Sequence, residues 1–414
     1  MIKRILLVVL LFFLALIPSS VKADSGIAVL DSSVEVHFPV ALVFNLEAMS
    51  DVDIIDARLH YQVDKMNYAQ VITEGWADFA PASRIKTNWV WDMRKSSLPL
   101  GATVVYWWTI KDTAGNKVET LPAVIHFEDN RYHWQNLTEG DITLFWYKGD
   151  DSFARDLMDA CQQGLARLKP ISHCEARSAE ALSKPIRIYI YTSANDLQGA
   201  MVFPMEWTGG VAFTEFGTIA IGISPGEVDW GKRALVHELT HLVVHQATFS
   251  PYGRLPTWLD EGLAMYNQGD LDPYFQAWLD EAISEGKLIS VRSLCSPFSA
   301  EPEKAYLSYA QSYSLVEYLL NNHGQDEMLN LLTLFKQGNT YDEALTKIYG
   351  FDVDGLDARW RETLVPPTVV IASEAKQSYP ALIAVLSALA TSLALAAALA
   401  LEEWTWQRSC RKVS

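Results

Sequence analysis

Cysteine is scarce in this chain: four occur in 414 residues, at positions 161, 174, 295 and 410. So few thiols exclude a disulfide-built scaffold, and the absence of any CxxC pair excludes a thiolate zinc site. A Cys161–Cys174 bridge stays open in an oxidising compartment, and would leave one external cysteine unpaired. Positive charge is short too. Fifty acidic residues face 33 basic ones, a formal charge of −17. Phosphate contacts need clustered Lys and Arg, so a nucleic-acid partner is excluded. No internal repeat is present.

What is there begins with the two ends. Lys3 and Arg4 precede an apolar run over 5–17, and a short polar stretch closes on the small Ala23. That is the layout of a secretory signal peptide over 1–23. With no cysteine near the cut, a lipoprotein anchor is not expected. Residues 380–401 carry no charge, which matches the roughly 20 residues needed to cross a bilayer. Trp404 and Trp406 suit the interface, and Arg408, Arg411 and Lys412 suit a cytoplasmic tail over 402–414. The expectation is a single-pass protein of the cell membrane, anchored by its C-terminal helix, with its folded part extracytoplasmic. About 350 residues then lie outside the membrane, enough for two domains.

The first, over 24–135, alternates apolar and polar residues at 34–38, 57–63, 103–110 and 123–127, and a turn-rich stretch at 111–117 suits a hairpin. Short aromatic-rich strands at this spacing predict a β-sandwich of immunoglobulin or fibronectin type, with its Trp and Tyr residues in the core. The second, over 140–365, has strands at 142–147, 186–191 and 211–223 and a helix at 151–168. Beyond residue 230 helices are expected at 230–248, 257–268, 273–285, 303–322, 325–336 and 340–349. Strands followed by helices describe an α+β domain. Pro366-Pro367 ends it, and 366–379 form a stalk.

Within the expected helix 230–248, His237-Glu238-Leu239-Thr240-His241 reads H-E-x-x-H. Residues four apart on a helix differ by about 40° in direction, so both imidazoles leave one face and can bind one metal ion. Glu238 projects beside them, placed to take a proton from an attacking water. Asp229 can cap the helix start. His245, a further turn along, is expected outside the ligand set. A metal site that does chemistry needs a third protein ligand and an open position.

The segment Trp258-Leu259-Asp260-Glu261-Gly262 resembles the W-L-x-E-G segment of the gluzincin zinc metallopeptidases, and the chain is most similar to their peptidase MA-like family. Aminopeptidase N-type enzymes are more distant relatives. The resemblance implies a Zn2+ cofactor held by His237, His241 and Glu261, and a peptide or protein substrate. Nineteen residues separate His241 from Glu261, one more than in the aminopeptidases, whose count would land on Asp260. The W-L-x-E-G frame favours Glu261, with the extra residue absorbed between 246 and 255.

Two weaker likenesses extend the comparison. The stretch from Tyr309 resembles an aminopeptidase segment whose first tyrosine donates to the oxyanion, with Tyr306 and Tyr313 as rivals for that role. Gly209, Gly210, Val211 and Ala212 fall where gluzincins place a substrate-binding strand edge. Aminopeptidases carry there a glutamate that grips the substrate amine. This chain has Ala212 and Phe213 instead, with Glu215 nearby but out of register. The resemblance therefore implies an endopeptidase with Glu238 as general base. The alternative is a metallopeptidase-like binding protein at the cell surface that has lost turnover.

Overall fold

The computed structural model describes residues 26–172, 184–203 and 209–364. The expected signal peptide, stalk, membrane helix and tail, and Cys174, lie outside the described residues. Among the described residues no helix is long and apolar enough to cross a membrane.

Alternation builds the first sheet. Its seven antiparallel strands are β1 (Ile27–His37), β2 (Ala41–Val63), β3 (Thr73–Trp76), β4 (Ala82–Asp92), β5 (Ala102–Asp112), β6 (Lys117–Glu119) and β7 (Ala123–Phe127). In β2 the side chains of Leu42, Phe44, Leu46 and Ala48 turn inward at period two. The alternation then breaks, and the pairing register shifts between Met49 and Ile54. Before the break β2 pairs with β1 and β4; after it, with β3 and β5 and, at Ile54 alone, still with β4. The faces of the expected sandwich are thus joined through one long strand, and Phe44, Trp91, Leu59 and Trp108 share one core. The turn expected at 111–117 is held by Asp112, whose carboxylate accepts from the backbone of Ala114 and Asn116.

The second sheet has strands β8 (Gln135–Glu139), β9 (Ile142–Trp146), β10 (Ile186–Tyr191), β11 (Gly210–Phe213) and β12 (Thr218–Gly222), in the order β11-β12-β10-β9-β8. Strands β9, β10 and β12 are parallel, and helix α1 (Asp151–Ser172) spans the crossover from β9 to β10. The single strand expected at 211–223 is two antiparallel ones, β11 and β12. Gly217 sits between them at a φ of 66°, and a Cβ there would meet the Pro185 carbonyl at 2.7 Å. Only glycine reverses the chain in that space.

One face of this sheet, with Ile186, Ile188, Ile190, Ile219 and Ile221, packs on helices. On the other, Tyr189, Tyr191 and Ala220 join the core of the first sheet. The buried Asp129 carboxylate braces that junction, accepting from the Tyr191 hydroxyl at 2.9 Å and from Arg131.

After the short α2 (Ala194–Gln198) the helices are α3 (Val228–Thr248), α4 (Thr257–Asn267), α5 (Pro273–Glu285), α6 (Val291–Leu294), α7 (Pro302–His323), α8 (Gln325–Lys336), α9 (Tyr341–Tyr349) and α10 (Val353–Leu364). The expected helices are there, and α6 and α10 are additions. Asp229 is not the cap of α3: it lies in the first turn, 3.8 Å from Lys232, and Glu227 holds the cap position.

Candidate active site

Helix α3 runs through the core on Leu235, Leu239, Leu242 and Val243, all fully buried. With that side fixed, His237 and His241 leave together, their Nε2 atoms 3.2 Å apart. Helix α4 brings a third group. Glu261 Oε2 lies 3.4 Å from His237 Nε2 and 3.5 Å from His241 Nε2. A tetrahedral ion bonded at about 2.1 Å separates its ligand atoms by about 3.4 Å, so these three atoms have the spacing of one face of such a site. Glu261 Oε2 is also out of contact with solvent and has no hydrogen-bond partner. A buried acceptor left bare is costly, and a cation in the triangle satisfies it. The residues fit a metal.

The outer nitrogens are occupied as well. His241 Nδ1 lies 3.1 Å from Asp260 Oδ1, and His237 Nδ1 lies 3.2 Å from Gln268 Oε1. Both partners accept, so the protons belong on Nδ1 and the Nε2 lone pairs face the triangle. Asp260, the rival in the sequence count, therefore stands behind His241, on the side away from the triangle.

Burial works against the Glu261 carboxylate, yet the imidazoles of His241 and His237 hold its pKa well below the carboxylate range. Burial also works against charge on His241, and the carboxylates of Asp260 and Glu261 override it, raising its pKa. For Glu238 burial dominates and raises the pKa, with Glu261 adding repulsion and the two imidazoles opposing it.

Strand β11 is the sheet edge, and it passes directly over Glu238. A Cβ on Gly210 would come within 2.9 Å of Glu238 Oε1, so glycine permits this approach. The backbone of Ala212 hydrogen-bonds the same carboxylate. Val211 and Phe213 turn to the opposite face. Gly209 extends the edge, its carbonyl accepting from Gly222.

Helix α7 supplies a tyrosine. The Tyr309 ring is 6.4 Å from that of His237, set edge-on to Phe298 at 5.3 Å and Phe275 at 6.3 Å. Burial, and then the carboxylates of Glu261 and Glu238, push its pKa up, so the hydroxyl keeps its proton. Its rivals lie elsewhere: Tyr306 packs on Tyr274 and Trp278, and Tyr313 donates to Glu317.

Gly262 sets the approach of α7. A Cβ there would meet the Ser312 carbonyl at 2.4 Å and Val316 at 2.6 Å. Backbone cannot step aside as a side-chain tip can. Gly262→Ala is expected to destabilise the protein by about 2–3 kcal/mol, the upper part of the range for overpacking. Urea unfolding of variant and parent checks this; an unchanged midpoint would mean the helices separate freely.

His245 stands outside the triangle, with its ring 5.4 Å from Phe249 and its Nε2 buried without a partner. Glu215 pairs with Lys65, whose Nζ lies 3.1 Å from its carboxylate. Sequence reasoning missed Gln268, the aromatic wall around Tyr309 and Lys65, which reach the site through the fold from distant segments.

Residues 160–366, half of the chain, match the model of the family described as the Peptidase MA superfamily. No curated protein matches. Among solved structures the chain is similar to a bromine derivative of BhCBM56 at 12% identity, covering 23% of this chain and 88% of that one, with a TM-score of 0.17. It is similar to wild-type OgpA from Akkermansia muciniphila at 11% identity, covering 24% of this chain and 28% of that one, with a TM-score of 0.19. An aminopeptidase N family protein from Idiomarina loihiensis is 9% identical over 77% of this chain and 73% of that one, with a TM-score of 0.37.

Proposed function

The chain belongs to the peptidase MA superfamily, and from that premise we propose that it is a zinc-dependent peptidase that cuts polypeptides internally. The observation that carries this reading is the triangle of His237 Nε2, His241 Nε2 and Glu261 Oε2, with sides of 3.2–3.5 Å, beside Glu238 and the outermost strand of the sheet, β11. Two imidazoles and one carboxylate are a zinc donor set of the catalytic kind, with a fourth position left for water or substrate. Zinc bound there acidifies a water and polarises a carbonyl.

The chain's own residues do the rest. The edge of β11 from Gly209 to Ala212 pairs with the substrate backbone and lays the scissile bond over Glu238. Glu238 takes the proton of the attacking water and passes it to the leaving amine. The Tyr309 hydroxyl, protonated in its apolar surroundings, donates to the developing oxyanion.

Internal cleavage rests on what the edge lacks. A site that grips a free N-terminus needs a buried counter-charge, since an unpaired ammonium is costly to bury. Ala212 and Phe213 offer none, and the Glu215 carboxylate is engaged by Lys65. The purified full-length protein is therefore expected to cut a peptide with a free N-terminus and its acetylated twin at the same internal bonds, at comparable rates by mass spectrometry. Cleavage of the free form alone, one residue at a time, would overturn the reading.

A further inference from the structure

A cavity of about 630 Å³ opens beside the metal-site residues, next to His241 and Asp260. Helix α3 forms its inner wall with Val244, His245 and Thr248. Lys65, Met66 and Tyr68, on the connection from β2 to β3 of the first sheet, also line it.

That connection is held in place. Lys184 Nζ lies 2.8 Å from Asp64 Oδ1, and Lys65 Nζ lies 3.1 Å from Glu215 Oε2. The Met66 N–H donates to the Glu215 carbonyl at 2.8 Å. The Tyr68 ring stacks on Phe249, 4.4 Å away and 7° from parallel. A link that only joined two strands would need none of these contacts, and each ties it to the second sheet or to the end of α3.

A substrate strand that pairs with β11 in the antiparallel sense, as β12 does, sets what the cavity receives. A substrate strand antiparallel to β11 runs from Phe213 toward Gly210. The residues ahead of its scissile bond then lie past Phe213, where Thr214 and Glu215 line the cavity. The volume is within the range of about 300–1,000 Å³ typical of ligand sites, more than one side chain fills. We propose that this cavity is the subsite for residues preceding the scissile bond, with the 64–68 segment of the N-terminal sheet as its outer wall. The substrates are then extended polypeptides with several residues ahead of the cut, and the N-terminal sheet takes part in selecting them. This rests on the peptidase reading.

The test uses acetylated peptides with one sequence after the cut and one to four residues before it, assayed with the full-length protein. Remote contacts that help only when filled raise kcat/KM, here by about tenfold or more from the shortest to the longest. Tyr68→Ala should flatten that rise. Tyr68→Phe, which keeps the stack, should retain it, as should Leu121→Ala on an exposed loop of the same sheet. In parallel, labelled peptides are titrated into Glu238→Gln protein, with and without Tyr68→Ala, and binding is read by fluorescence anisotropy. If the parent cuts without regard to upstream length, or Tyr68→Ala keeps the full rise, the subsite is disproved and the peptidase reading stands. If nothing is cut but longer peptides bind more tightly in a Tyr68-dependent way, the cavity binds peptide but the peptidase reading falls, and with it the assignment to residues ahead of a cut. Neither cleavage nor length-dependent binding disproves both.

Discussion

Glu238→Gln is expected to keep the metal and lose peptide hydrolysis by about 10²–10⁴-fold, the range for removing a positioned acid–base group. The substitution preserves shape. A glutamine carbonyl still accepts from the Ala212 backbone, and still fits under Gly210, where the space for a Cβ is only 2.9 Å from Oε1. It removes only the capacity to take a proton. The three atoms placed to hold a metal belong to other residues, so metal content by atomic absorption should match the parent while turnover of an unfolded casein-like substrate collapses. Equal rates for parent and variant would sink the assignment of Glu238. A parent protein that binds metal yet never cuts would favour the binding-protein alternative.

Local geometry made part of the site legible in the sequence. His237 and His241 share a face because helices repeat every 3.6 residues, and the apolar residues flanking them require a core helix. Glu261 was less secure, because counting residues does not reveal orientation. Asp260 and Glu261 point about 100° apart on their helix, so only one can reach the two Nε2 atoms. The choice is made by packing: Trp258, Leu259 and Gly262 are buried, Gly262 against α7, and that rotation turns Glu261 inward and Asp260 toward Nδ1 of His241. For Tyr306, Tyr309 and Tyr313 the same holds, since their spacing places all three near one face and only the tertiary fit separates them.

Other features had little local signature. Gln268 meets His237 from the end of α4, and Lys65 meets Glu215 across 150 positions; pattern rules see only near neighbours. The hairpin of β11 and β12 reads as one strand because both halves are apolar, with Gly217 as the single mark of reversal. Helix α10 does carry a local signature: Val353, Leu356 and Trp360 are its buried residues, at the i, i+3 and i+7 spacing of a helix face.

The ligand set gives the second large effect. Glu261→Ala is expected to abolish stoichiometric metal binding, because it removes one of three anchors and the only anionic one. Asp260→Asn keeps an acceptor oxygen near His241 Nδ1 but discards the charge, and changes of that kind behind a ligand cost about 10–100-fold in metal affinity. The two variants therefore separate a ligand from its support. At saturating zinc, dialysed Asp260→Asn protein should reload and Glu261→Ala protein should not. Competition with a chromogenic chelator then places Asp260→Asn between the parent and Glu261→Ala. Circular dichroism of both variants guards against misfolding, which would empty the site for a trivial reason. Full loading of Glu261→Ala beside an empty Asp260→Asn would exchange the two roles, and the 3.4 and 3.5 Å approaches of Glu261 to the imidazoles would then be packing contacts only.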